Sequence, residues 1–308
     1  MEATSAAAWR ATARQAEDLG YSTLFVADHY LGPGPVYDRS NHLPQNLAPV
    51  PAIAAAAEAT ERLRVGCRVF CVDFHVPAVF AAETATLDLL SDGRLEIGLG
   101  AGYLADEYEA MGVPFEPAGR RVDKLEEVVA LLKAHWSGEQ IDLVGQHVTV
   151  SGYAGVPKPV QQPHPPIMIG GDRPRVLSLA GREADIVSLN YVRFGLSDAG
   201  LTPEQEAVRR VAIVRDAAGP RFDDLEIESS PYWIEVTDDA GAALERVMAM
   251  MHVPESGLLD HPHVLIGSVA DVVERLERRR ELIGTHYVTI PAVQMQAFAP
   301  VVAALHGT

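Results

Sequence analysis

Short apolar runs alternate with amphipathic stretches along this chain, and the two patterns carry the periods of strand and helix. Residues 5–19 place Ala6, Trp9, Ala13, Ala16 and Leu19 at helical spacing, and Gly20 stands where a helix stops. Residues 23–27 (TLFVA) are short and wholly apolar, which predicts a strand covered on both faces. The spacing then predicts a helix over 53–61, a strand over 63–72, a helix over 78–90 and a buried strand over 95–99. Residues 122–136 are strongly amphipathic, with Val122, Leu125, Val129 and Leu132 on one face and acids and lysines opposite. Residues 141–150 read as a hairpin around Gly145. A strand over 167–169 is stopped by Gly170 and Gly171, followed by a helix over 174–182 and a strand over 185–189. The remainder reads as a helix over 203–218, a strand around 225–236, helices near Ala240 and over 269–282, a strand over 287–290 and a terminal helix over 295–305.

Strand followed by helix, repeated with short apolar strands, implies parallel strands joined by helical crossovers. About seven such strands in this length fit an α/β fold of the closed (β/α)8 TIM-barrel type better than an open doubly wound sheet. Residues 27–32 (ADHYLG) after the first visible strand lack the glycine fingerprint of a dinucleotide fold. No compositional break divides the chain, so a single domain over 1–308 is expected, with a hairpin excursion near 141–150. A barrel starts with a strand ahead of its first helix, and this chain starts almost at the helix; the first barrel strand is expected to be missing.

Composition narrows the function classes. The 308 residues carry 25 Lys and Arg against 42 Asp and Glu, a net charge of −17. Such a surface repels phosphate backbones and anionic lipid, so neither nucleic acid nor membrane is an expected partner. The N-terminus lacks the basic and apolar segments of a signal peptide, and a cytoplasmic protein is expected. The two cysteines, Cys67 and Cys71, lie on one predicted strand, roughly 13 Å apart, too far for a disulfide. They read as buried thiols, and no ligand spacing points to a metal.

In a barrel the chemistry sits at the C-terminal ends of the strands. The residues collected there are Asp28 and His29, then Cys71 to His75, then the run Gly98 to Tyr103, then Gly170 and Gly171, then Asn190 and Tyr191. His29 is the side chain suited to exchanging protons near neutral pH, with Asp28 beside it as an orienting or ligand-contacting carboxylate. The bland alternative is a capping Asp and a satisfied His. The glycines at 98–102 serve either tight packing or ligand contact. Gly170 and Gly171 ahead of a helix would offer bare amides to an anion, with Arg173 and Arg175 alongside.

Four ordered segments resemble the bacterial luciferase-like superfamily, and within it the branch of coenzyme F420-dependent oxidoreductases. They are residues 13–29 (ARQAEDLGYSTLFVADH), 64–77 (RVGCRVFCVDFHVP), 85–102 (ATLDLLSDGRLEIGLGAG) and 165–185 (PPIMIGGDRPRVLSLAGREAD). The resemblance implies a deazaflavin at the strand ends, with Asp28 contacting its head and His29 as the active-site acid or base. It implies a non-prolyl cis peptide at Arg68-Val69 and Cys71 near the ring edge. Ala101, Gly102 and Asp106 would line the cofactor, and Gly170, Gly171 and Arg173 would hold its phosphate. His75 falls one place before the family's histidine, so its role is assigned only to the substrate side with Tyr103, Asn190 and Tyr191. Tyr103 stands where sugar-phosphate dehydrogenase relatives have an acid, which argues against that substrate. The loop over 30–47 is expected to shape the substrate pocket.

Hydride transfer between coenzyme F420 and a small organic substrate is the leading expectation. An FMN-dependent monooxygenase is the alternative, and a cofactor-free binding or dimer-partner protein is the third. The resemblance also implies a homodimer. Residues 52–59 (AIAAAAEA) and 78–85 (AVFAAETA) support it, because their helices are small and apolar on nearly every side.

Overall fold

Ser5 accepts the Ala8 amide and so caps α1 (Ala6–Asp18), the first element among the described residues. The computed structural model describes residues 3–40, 45–138, 140–251 and 257–306, and contacts group the chain into two units, Met1–Ile169 and Gly170–Thr308. His42 and its neighbours in the 30–47 loop lie outside the described residues.

In the first unit α1 is followed by β1 (Thr23–Val26), α2 (Pro35–Ser40), α3 (Pro49–Ala59), β2 (Arg64–Cys71), α4 (Pro77–Leu90) and β3 (Leu95–Gly100). Then come α5 (Ala105–Met111), α6 (Ala118–Ser137), the strands β4 (Ile141–Val144) and β5 (Thr149–Tyr153), and β6 (Ile167–Gly171), which ends across the unit boundary. The strands β1, β2, β3 and β6 pair in that order, all parallel. β4 and β5 form the expected antiparallel hairpin. Prolines at the first turns of α3 and α4 cost no hydrogen bond there and preset the helical φ.

The β2–β3 register shifts between Cys67 and Phe70, where the Arg68-Val69 peptide is cis as expected. Here the chain needs glycine. A Cβ at Gly98 would lie 2.3 Å from the Cys67 carbonyl oxygen, and one at Gly100 would lie 2.8 Å from a Val69 methyl. Both glycines are accounted for by strand packing against β2.

The second unit runs α7 (Pro174–Glu183), β7 (Ile186–Leu189), α8 (Pro203–Ala218), β8 (Glu226–Ser229), β9 (Trp233–Val236) and α9 (Ala240–Met251). It continues with β10 (Val264–Gly267), α10 (Val269–Ile283), β11 (Thr285–Val288) and α11 (Met295–Leu305). β7, β8 and β11 pair in that order, parallel, and β9 pairs with β10, also parallel.

Parallel strands with helical crossovers establish the α/β class. Three local differences from the sequence reading have physical causes. The strand expected around 225–236 is two strands, broken at Ser230 and Pro231 because proline cannot donate to a ladder. β10, a wholly buried VLIG run, was not expected, although the capping box of Ser268 and Asp271 marks its end. α5 is short and acidic, too brief to show a helical period.

Candidate active site at the strand ends of the first unit

Successive side chains leaving a strand point to opposite sides, and Asp28 and His29 accordingly part after β1. Asp28 is 1% exposed and turns toward the end of β2. Its Oδ2 accepts the Cys71 amide at 2.9 Å and lies 2.8 Å from His75 Nε2. The His75 ring stacks on Phe80 at 4.5 Å and meets Phe70 edge-on at 5.3 Å. Asp28 Oδ1 is buried and has no hydrogen-bond partner among the described residues. His29 turns the other way, to α5. Its Nδ1 lies 2.7 Å from Glu107 Oε2, while Glu107 Oε1 accepts the Tyr30 amide at 2.7 Å. Glu107 is buried at 1% exposure. Of the two roles expected for Asp28, orienting His29 falls away: Asp28 binds His75, and the carboxylate against His29 belongs to Glu107. Burial, and then the nearby Asp28 carboxylate, push the Tyr30 hydroxyl far above its ordinary range.

A second network ties the ends of β2 and β3 to α5 and α6. The Tyr108 hydroxyl donates to Asp73 Oδ2 at 2.9 Å, and Lys124 Nζ lies 2.9 Å from Asp73 Oδ1. Cys71 Sγ is 2.9 Å from the same hydroxyl oxygen. With that hydroxyl already donating to Asp73, the sulfur is the donor here, a thiol. Burial pushes the Cys71 thiol up to about 11. Cys67 is also buried, and burial holds it well above the usual thiol range. Gly102 sits at φ +73°, and a Cβ there would lie 1.9 Å from the Tyr108 oxygen, so the turn admits only glycine. The buried Arg121 lies 3.8 Å over the Phe115 ring and donates to the carbonyls of Ala101, Gly102 and Glu116.

The other expected site residues are placed as follows. Tyr103 is exposed and meets the His29 ring edge-on at 5.9 Å. Asp106 lies half-exposed, 3.6 Å from Arg39 of α2. Val69 packs its methyls toward Gly98 and Gly100, and Arg68 is partly buried. Among the described residues no group of three or more His, Cys, Asp or Glu is placed to hold a metal, and no helix is long and apolar enough to cross a membrane.

The second unit carries its own cluster at the ends of β7 and β8. Arg210 Nη1 donates to the carbonyls of Asn190 and Tyr191 at 3.0 Å each, and Arg210 Nε is 3.1 Å from Glu206. His263 Nε2 accepts the Val192 amide at 2.8 Å, which places its proton on Nδ1, 2.9 Å from the Ser230 carbonyl. His261 Nδ1 accepts the His263 amide at 3.1 Å. Burial lowers His261 to about 4. Tyr191 and Tyr232, both exposed, flank the His263 ring at 5.8 and 4.6 Å. Gly171 is accounted for by packing, since a Cβ there would meet Val176 at 2.4 Å. Arg173 precedes α7 without capping it by a side-chain bond and is 84% exposed beside Asp172.

Asp73 falls in the strand-end run 71–75, but spacing gives no sign of Glu107, Tyr108, Lys124 and Arg121, because their partners are 5 to 78 residues away. The available signal for Glu107 was an acid in the first turn of a helix following a buried strand.

Comparison with known proteins follows the same lines. A stretch of 172 residues is 32% identical to the F420-dependent glucose-6-phosphate dehydrogenase of Amycolatopsis mediterranei, covering 56% of this chain and 49% of that protein. The chain thus matches about half the length of that relative. Among solved structures, a monooxygenase from Streptomyces bottropensis, RslO1, superposes with a TM-score of 0.72 at 23% identity over 98% of this chain and 94% of its own. The coenzyme F420-dependent tetrahydromethanopterin reductase of Methanopyrus kandleri gives a TM-score of 0.74 at 17% identity, over 98% and 94%. These likenesses establish the fold they share. The luciferase-like monooxygenase family model matches residues 1–262, most of the sequence. The chain belongs to the luciferase-like monooxygenase family.

Proposed function

We propose that this protein is an F420-dependent oxidoreductase that moves a hydride between the deazaflavin and a small organic substrate, on a (β/α)8 barrel of the family type. The observation that carries the reading is Asp28 Oδ1, a buried carboxylate oxygen without a partner among the described residues, one position before His29. A buried acceptor left unmade costs about 1–3 kcal/mol. A ring N–H or hydroxyl of a bound cofactor would satisfy it, and the residues present therefore fit such a group. The F420 dependence of the Amycolatopsis relative supports the deazaflavin over FMN.

When bound, the deazaflavin supplies two-electron hydride chemistry, leaving geometry and proton handling to the protein. Asp28 holds the donor edge, itself held by the Cys71 amide and His75. His29 accepts or gives the proton that accompanies the hydride. Arg121 fixes the Ala101 and Gly102 carbonyls that line the turn after β3, and Tyr103 faces the substrate. Arg68, Val69, Cys71 and Asp106 complete the proposed cofactor contacts of this unit. In the second unit, Gly170, Gly171 and Arg173 form a separately proposed anion-binding element at the start of α7, and Asn190 and Tyr191 a substrate-facing pair. A cytoplasmic homodimer completes the proposal.

Fluorescence titration of the purified protein with F420, and in parallel with FMN, tests it. Saturable F420 binding is expected, weakened about 10- to 100-fold in Asp28→Asn. Preference for FMN would replace the hydride reading by the monooxygenase one. Binding of neither would overturn both.

A further inference from the structure

We infer that Glu107 is the positioning residue of the active-site histidine: it sets the tautomer of His29 and the face the ring presents. The inference rests on the proposed role of His29 as proton carrier, and it adds a residue that neither motif nor spacing marks.

Three observations converge on it. Glu107 is 1% exposed although it is a carboxylate, and buried charge persists only where it is paired and hydrogen-bonded. Both of its oxygens are engaged by consecutive residues of one loop, Oε2 with His29 Nδ1 and Oε1 with the Tyr30 amide, each at 2.7 Å. That distance is in the range of charge-assisted hydrogen bonds. α5, which carries Glu107, is anchored independently by Tyr108 through its bonds to Cys71 and Asp73. The carboxylate is thus fixed from behind before it meets the histidine.

The chemistry follows from donor and acceptor counts. The backbone amide of Tyr30 can only donate, so Glu107 meets it as an acceptor. An ionised carboxylate accepts at both oxygens, which requires the His29 proton on Nδ1 and places the exchanging lone pair on Nε2. As Nε2 takes up a proton, the ring becomes an imidazolium, and its positive charge arises against the Glu107 oxygen at Nδ1. The bond at Tyr30 keeps the loop backbone from turning as that charge comes and goes.

Glu107→Gln is close in size and separates tautomer control from packing. If its amide oxygen keeps the Tyr30 amide, its NH2 faces Nδ1 and demands the opposite tautomer. Replacing the orienting acid by its amide in this way lowers turnover by about 10⁴ in a serine protease without disturbing geometry.

The experiment is 15N NMR of histidine-labelled protein in the neutral-ring range, with His29→Ala used to assign the signal. The wild type is expected to show the Nδ1–H form of His29 and Glu107→Gln the Nε2–H form, with F420 binding measured by fluorescence unchanged within about threefold. Where turnover is measurable, kcat falls about 10²–10⁴-fold with KM little changed, and Glu107→Asp recovers part of it. An Nε2–H tautomer in the wild type overturns the inference without any variant, which also covers failure of Glu107→Gln to fold. So does Glu107→Gln with the wild-type tautomer. Absence of F420 binding by the wild type would instead strike the proposed cofactor and leave the Glu107 result standing.

Discussion

His29 and His75 of the first unit are partly buried, His261 and His263 of the second almost wholly so, and the two pairs differ in what faces their nitrogens. In the first unit His29 and His75 each meet a carboxylate, Glu107 at 2.7 Å and Asp28 at 2.8 Å. In the second, the His263 nitrogens face backbone groups, the Val192 amide on one and the Ser230 carbonyl beside the other. His261 accepts the His263 amide and lies 3.4 Å from the Arg193 carbonyl. A carboxylate beside a ring nitrogen offers a counter-charge to the positive charge that arises when the ring takes up a proton. A ring that accepts a backbone amide must give up that bond to take a proton. The first arrangement suits chemistry and the second suits construction, so the residue type alone decides nothing; the partner does.

The largest effect expected from this contrast is at His29. His29→Ala should lower turnover by about 10²–10⁴-fold while F420 affinity stays near wild type, with about 1–3 kcal/mol lost in urea unfolding because the buried Glu107 oxygen loses its partner. Steady-state kinetics beside a fluorescence titration check it, and turnover surviving within a few-fold would remove His29 from the chemistry. At His263 the expectation is reversed. His263→Ala leaves a buried amide and a buried carbonyl without their ring partner, which costs about 2–4 kcal/mol in urea unfolding. A stability loss under about 1 kcal/mol would show that water or neighbouring groups take over both bonds.

Much of this contrast was out of reach of the sequence. The strands β1, β3 and β7 and the helix α6 were legible, because apolar runs of four to six residues and a long amphipathic period have few other readings. The strand ends were legible too, and with them Asp28 and His29, whereas the cis peptide at Arg68-Val69 was implied only by the family resemblance. The pairing was not legible. Adjacency suggested that Asp28 serves His29, whereas the pleat sends neighbours apart and the partners come from 47 and 78 residues away. The glycines of β3 were visible, but their reason, the close approach of Cys67 and Val69, depends on how β2 is paired. His261 and His263 flank a proline beside an apolar run, and nothing local says that both are buried.

A further test uses pH. Burial lowers His261 from 6.5 to about 4 in the folded chain, so the unfolded chain binds the extra proton first. Its contribution is therefore complete above pH 6.5 and is lost as pH falls toward and through 4, up to about 3 kcal/mol in all. Urea midpoints at pH 7 and pH 5 should differ measurably in the wild type and less in His261→Gln, which does not titrate. An equal drop in both would assign the acid sensitivity to other groups.

The smallest effect is expected at His75, and it tests whether the comparison holds within the first unit. His75 shares features of both classes: its Nε2 meets Asp28 like a site histidine, while its ring stacks on Phe80 like a structural one. His75→Phe keeps the stacked ring and removes only the nitrogen. Asp28 Oδ2 retains the Cys71 amide, so the carboxylate stays in place with one restraint fewer. Loss of a single hydrogen bond of this kind is worth about 1 kcal/mol in unfolding, and with the carboxylate less firmly aimed F420 should bind roughly three- to tenfold more weakly. An unchanged dissociation constant would mean that the Cys71 amide alone aims Asp28, and His75 would then join His263 as a structural ring. Loss of binding by a hundredfold or more would exceed what one restraint can do, and would place His75 in direct contact with the ligand.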